Sequence, residues 1–407
     1  MRQVLLVGSL LVTCASVALI GQMRVIPDAP GRWKPWTFTA SGGTRTLLGA
    51  RPADVKGLEA QLLRLNEIIK GTEGITSPIG FSVETSGSLG MASPRSTPIP
   101  GEPALTVRPL PAMLTFGAFP IREYGSGATT TREDGGETAL LLFFVNELSL
   151  PLFAAGDGRV PEFETLDVDV VRLARPEPDV FGLPRYGKDA IVIKKSDAPI
   201  WTAVTMGETL ALVARSIDRR LADQRDVVAR HQAQYDDRTD SGQRAKRMAE
   251  YKQIASLQTD PTAFMDQMTK VEDELARTAA DLLPTIASAK ADAMKIEREL
   301  ADARATAEGL SAADKAAPGC YASGSAGGGP ALARFRRAPD AGCDPLVRPN
   351  WSMFNPALPR SAPQVLIISR VEGCLDANRP APHPGGCTAN LRLLESIDKA
   401  ALLAWLQ

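Results

Sequence analysis

Residues 198–210 read APIWTAVTMGETL. An apolar stretch stops, Thr205 appears, and Glu208 follows three residues later. Ser/Thr-x-x-Glu is a capping box. The hydroxyl accepts from one free N–H of a first helical turn, and the carboxylate reaches back to another. Thr205 and Glu208 therefore predict the start of a helix. Leu210, Val213, Ile217, Leu221 and Val228 then keep near a seven-residue rhythm, with charged residues between them. DDRTDSG at residues 236–242 interrupts it, and Met248, Tyr251, Ile254 and Leu257 resume it. Thr259-Asp260-Pro261 sets a cap before a proline at a first helical position, which marks a second start. Phe264, Met268, Val271, Leu275, Leu282, Ile286, Ala289, Ala293, Ile296 and Leu300 continue in steps of three and four to Gly309. A kink is expected around Pro284. Each arm would span about 70–80 Å if fully helical. The pattern reads as an antiparallel hairpin packed on itself, with an intermolecular coiled coil as the alternative.

Two apolar strands flank the hairpin, at residues 190–193 and 364–369. A hairpin placed between neighbouring strands returns the chain to where it left. The fold class expected is α+β: a small mixed sheet body with an inserted long antiparallel helical hairpin and a disulfide-containing C-terminal part. The segments are 1–18 (signal peptide or N-terminal membrane anchor), 22–200 (α+β body), 201–311 (hairpin) and 312–407 (Gly/Pro-rich disulfide loop, returning strand and C-terminal helix). On this reading, deleting residues 208–309 should leave the body folded.

Within the body, residues 53–70 carry Val55, Leu58, Leu62, Leu65 and Ile69 at helical spacing, with Gly71 as the stop. Residues 77–83 predict a short strand ending at Glu84, before a Ser-, Gly- and Pro-rich loop. Residues 139–145 form a continuous apolar run, as a buried strand does. Leu166, Val168 and Val170 alternate with Asp167 and Asp169, which predicts a half-exposed strand. Residues 312–349 read as an irregular loop. Residues 391–406 read as one amphipathic helix with Leu394, Ile397, Ala401 and Trp405 on one face.

Arg2 before an apolar run to about residue 20, with Ser16-Val17-Ala18 as a small-x-small site, predicts export to the periplasm or the medium. A retained membrane anchor is one alternative, and lipidation of Cys14 in Leu11-Val12-Thr13-Cys14 is another. Cys320, Cys343, Cys374 and Cys387 are an even set in the last quarter of the chain, which in an exported protein predicts disulfides. Sequential pairing, Cys320–Cys343 and Cys374–Cys387, closes the shortest loops. A metal held by Cys374, His383 and Cys387 is the rival, and it lacks a fourth ligand.

The net charge of −1 gives no field to draw in nucleic acid or an anionic membrane. The basic run Arg334, Phe335, Arg336, Arg337 reads as a solvated loop. The chain has two histidines, His231 and His383, and no HExxH, no Gly-x-Ser-x-Gly and no P-loop. No cofactor is expected. Glu162, Glu164, Asp167 and Asp169 leave a paired-acid hydrolase open, although a solvated strand face also explains them. Two readings follow. The first is an exported cell-envelope protein without enzymatic activity, which binds a protein partner through the projecting hairpin. The second is an exported hydrolase with an acid-based site within residues 75–200. Residues 199–210 and Leu358-Pro359-Arg360 faintly resemble exported bacterial proteins of unknown function, over short stretches that imply no activity.

Overall fold

The computed structural model describes residues 24–90, 103–124, 131–134, 139–148, 160–166, 168–174, 176–180, 182–186, 190–322, 331–338, 342–369 and 384–407. The expectations for the N-terminal segment, including Cys14, lie outside them, as do Asp167, Cys374 and His383. The chain forms two compact units. The first holds residues 1–158, 171–202 and 347–407, and the second residues 159–170 and 203–346.

Before the hairpin come β1 (Arg24–Val25), β2 (Thr37–Thr39), α1 (Gly42–Leu48), α2 (Pro52–Lys70), β3 (Phe81–Leu89), β4 (Ala112–Tyr124), β5 (Thr131–Asp134), β6 (Ala139–Val145), β7 (Val171–Arg172), β8 (Pro176–Val180), β9 (Leu183–Tyr186), β10 (Ala190–Lys194) and β11 (Trp201–Ala203). The hairpin is α3 (Met206–Thr239), α4 (Ser241–Ala255), α5 (Pro261–Thr278) and α6 (Leu282–Gly309). After it come α7 (Ala312–Ala316), β12 (Gly319–Ala322), β13 (Phe335–Arg337), β14 (Cys343–Pro349), β15 (Val365–Ser369), α8 (Pro384–Ser396) and α9 (Lys399–Trp405).

The first unit is a mixed sheet in the order β2-β3-β4-β6-β15-β10-β9-β8. Its β2–β3 pair is parallel, and the β4–β6, β6–β15 and β15–β10 pairs are antiparallel. The strands on either side of the hairpin are direct neighbours, with Ile191 opposite Ile368 and Ile193 opposite Leu366. That pairing is what makes the hairpin an insertion. One face of the sheet packs Phe116, Leu141, Phe143, Ile191 and Ile368 against Leu58, Leu62, Leu65 and Ile69 of α2 and Leu393, Leu402 and Trp405 of α8 and α9. The other face packs Phe144, Val192 and Ile367 against Ile200, Met353 and Phe354. Burial on both sides is why ALLLFFV and residues 365–368 (VLII) are unbroken apolar runs and do not alternate.

Several local expectations need correction. The strand expected to stop at Glu84 continues to Leu89, paired with β4 along its whole length. Thr85 and Leu89 are buried and Ser86 and Ser88 half-buried, so small polar residues occupy the outer face of a true strand. Gly87 belongs there because a Cβ would lie 2.8 Å from the Trp36 ring. The strand expected over 166–170 is absent among the described residues. A 3₁₀ turn covers Pro161–Phe163, and Leu166, Val168 and Val170 pack on the apolar cluster of the second unit. The single C-terminal helix is two, because the Asp398 carboxylate accepts from Ala401 N–H at 2.9 Å and starts α9 afresh.

In the second unit, the described residues between 312 and 346 are not an irregular loop. β12 pairs with β13 and β14, bringing Tyr321 opposite Phe335 and Cys320 opposite Pro345. Cys320 and Cys343 are joined with their Cα atoms 5.6 Å apart, within the span a disulfide bridges. In the first unit, Cys387 is also disulfide-bonded and so is not a thiolate ligand for a metal. Tyr321, Phe335 and Leu346 form one core with Val204, Leu210, Val213, Ile217, Leu221, Leu300 and Ala303. The first turns of the hairpin are therefore the core of the second unit. Deleting residues 208–309 would remove that core, whereas neither apolar cluster of the first unit includes a residue of the hairpin.

One buried polar group stands out in the first unit. Asn390 on α8 is fully buried, and neither its amide oxygen nor its nitrogen has a partner among the described residues. Leaving such a group unsatisfied costs about 1–3 kcal/mol. Asn390→Leu, close in volume, is expected to raise the stability of the first unit by a similar amount. An unchanged or lower midpoint in urea would contradict the assignment.

Candidate functional site

The hairpin carries the candidate surface, and its two halves are built differently. At the root, the Thr205 hydroxyl accepts from Glu208 N–H at 3.2 Å, while Glu208 Oε2 accepts from Thr205 N–H at 2.9 Å. α3 and α6 then run antiparallel: Arg220 meets Glu299 at 2.7 Å and Arg225 meets Glu297 at 2.6 Å. Val213, Ile217 and Leu221 interlock with Leu300 and Ala303, and Ala293 and Ile296 extend the seam. Small alanines let the helices approach closely, so Gln224 Nε2 reaches the Ala289 carbonyl at 3.1 Å.

Beyond residue 240 the seam changes. Ala255 is the buried residue of α4, and Glu272 that of α5. Arg247 Nε and Nη2 donate to the two oxygens of Glu272 at 2.8 and 2.9 Å, and the Tyr251 hydroxyl donates at 3.3 Å. The Glu272 side chain is 1% exposed, whereas that of Arg247 is 20% exposed. Arg247 holds the Glu272 carboxyl below the usual carboxylate range, outweighing the opposite push of burial. Burial, and then the Glu272 charge, raise the Tyr251 hydroxyl. Arg244 and Asp273 add a surface pair at 2.5 Å.

This ionic seam leaves apolar side chains uncovered. Leu257 is 84% exposed, Ile254 45% and Val271 40%. Phe264, Met265 and Met268 are half-buried. The sequence rhythm placed Val271 in the seam, but the structure turns Glu272 inward. Between α5 and α6 the 3₁₀ turn at Ala279–Asp281, ahead of Pro284, breaks the rhythm read along the arm. Three residues at about 120° instead of 100° advance the helical face by about 60°. The Arg247–Glu272 pair was missed for that reason. Its signal in the sequence is a carboxylate beside an apolar rhythm position, facing an arm that carries arginine at the matching distance from the turn.

A cleft of about 290 Å³ lies in the second unit, lined by Glu162, Thr165, Val213, Ser216, Ile217, Arg220, Glu299 and Arg334. Glu162 accepts from Arg334 at 3.2 Å, and Arg334 also donates to the Tyr321 hydroxyl at 3.3 Å. Arg334 is thus tied into the unit and is not part of a solvated basic loop. Both carboxylates of the cleft, Glu162 and Glu299, are held by arginines. In the first unit a small cavity of about 10 Å³ is lined by Arg108, Asn146, Glu147 and Trp351, room for one water. Asn146 has φ 54° and bonds three backbone groups, while Arg360 donates to the carbonyls of Leu48, Gly49, Leu105 and Arg108. That cluster ties loops together.

Among the described residues, no group of three or more His, Cys, Asp or Glu is placed to hold a metal ion, and no helix is long and apolar enough to cross a membrane. Comparison with protein-family models, curated proteins and solved structures gives no match.

Proposed function

We propose that the chain is an exported protein of the cell envelope that binds a protein partner through the distal part of its hairpin, without enzymatic chemistry. The observation that carries this reading is the exposure of Leu257 in the turn after α4, with Ile254 on α4 and Val271 on α5, two helices whose own contact is closed by an ion pair. Leu257 is the most exposed large apolar side chain among the described residues, and uncovered apolar surface of that kind is where a partner would seat. Support for the oxidising compartment comes from the Cys320–Cys343 disulfide. The hydrolase reading loses ground because Glu162, which lines the 290 Å³ cleft, is bound to Arg334.

The test is a double variant, Ile254→Asp with Leu257→Asp. Both positions are exposed, so the stability change is expected to stay within about 0.5 kcal/mol per site. A complex isolated from cross-linked envelopes with the unaltered chain should disappear with the variant. Retention of that complex at unchanged yield would reject the hairpin end as the contact.

A further inference from the structure

The two arms of the hairpin are interrupted at the same level. Asp240 leaves the helix with ψ 116° and its carboxylate caps α4, accepting from Gln243 N–H at 2.9 Å. On the other arm the helix tightens into the 3₁₀ turn at Ala279–Asp281. Pro284 imposes this, since it has no N–H for the Ala280 carbonyl and its ring crowds that carbonyl. Arg238 Nη1 donates to Thr278 Oγ1 at 3.4 Å, which sets the two interruptions side by side.

We propose that these paired breaks form a hinge, about which α4 and α5 move as one head on the α3–α6 stalk. Bending an unbroken helix pair must open i→i−4 bonds in both arms. Here extended backbone at Asp240 and the missing N–H of Pro284 have removed those bonds already. The head holds itself together independently of the stalk, through the Arg247–Glu272 fork. The stalk has its own apolar seam. Arg247 also crosses the hinge, donating from Nη1 to the Asp237 carboxylate at 2.9 Å and to its carbonyl at 3.2 Å. It is a strap that sets the resting angle. A rotation of about 20° would move the end of a head about 22 Å long by about 8 Å. The hinge does not depend on what the head binds.

The experiment measures electron–electron distances between spin labels at the exposed positions Asp223→Cys on the stalk and Thr262→Cys on the head, in the full chain carrying Cys14→Ser. Asp237→Ala removes half of the strap at a side chain 58% exposed, so folding should survive, as helical circular dichroism would verify. The distance distribution is expected to broaden and shift in that variant. It is expected to narrow when Asp240→Ala and Pro284→Ala together restore continuous helices. A distribution unchanged by Asp237→Ala, or equally wide after both helices are made continuous, would overturn the hinge.

Discussion

Arg247→Met is expected to open the distal half of the hairpin at neutral pH while the stalk and the first unit stay folded. The variant strands the Glu272 carboxylate, 1% exposed, without its partner. Removing one member of a buried pair costs about 3–5 kcal/mol, and the lower figure suits a pair whose arginine is partly solvated. About 3 kcal/mol is roughly a hundredfold in the local opening equilibrium. Amide hydrogen exchange over residues 241–278 should accelerate by that factor, with little change over residues 206–235.

The sign of the pH dependence adds a second check. In the native chain Arg247 depresses the Glu272 carboxyl below its ordinary value of 4.5. Its contribution is complete above that ordinary value and is lost as pH falls through the depressed one. In Arg247→Met the largest of the groups that lower it is gone, and burial, which favours the protonated form, is opposed only by the Tyr251 hydroxyl bond and the Arg244 charge. The variant head should therefore regain protection on mild acidification, where the native head does not gain. Parallel pH profiles for the two would contradict the account of this pair.

Two deletions should separate the stalk from the head. Removing residues 241–280 and joining the stubs with a short Gly/Ser linker is expected to leave both units soluble and cooperatively folded. The Arg238–Thr278 contact shows that the ends lie close together. Removing residues 208–309 takes Leu210, Val213, Ile217, Leu221 and Leu300 out of the core around Tyr321 and Phe335. At about 1.5–3 kcal/mol per buried side chain, the loss is on the order of 10 kcal/mol, more than such a unit can absorb. The second unit should then aggregate or bind hydrophobic dyes. Soluble, cooperative folding of that larger deletion would mean that the stalk is not core.

The hairpin was legible because its signals are local. A capping box at Thr205–Glu208, a proline at position 261 and an apolar rhythm need no knowledge of the rest of the chain. The insertion was legible because apolar runs, residues 190–193 and 365–368, flank it. What the sequence hid depends on distant partners. Ser86 and Ser88 look like loop residues until β4 is alongside. Leu166, Val168 and Val170 alternate as a strand would, yet they cover Phe163 and Phe335 without joining a ladder. The Arg247–Glu272 seam depends on how far a 3₁₀ turn rotates α5, and no rhythm read along one arm contains that angle. The capped helix start, conspicuous in the sequence, anchors the stalk and lies at the opposite end of the hairpin from the exposed Leu257.

The proposed binding role of the head is tested most directly by site-specific photocross-linking in intact cells. A photoreactive residue is placed at Leu257, and in a second strain at Ala229, exposed on the stalk. The account predicts a discrete adduct of one partner protein from position 257 and none from position 229. No adduct from position 257, or the same adducts from both positions, would contradict it.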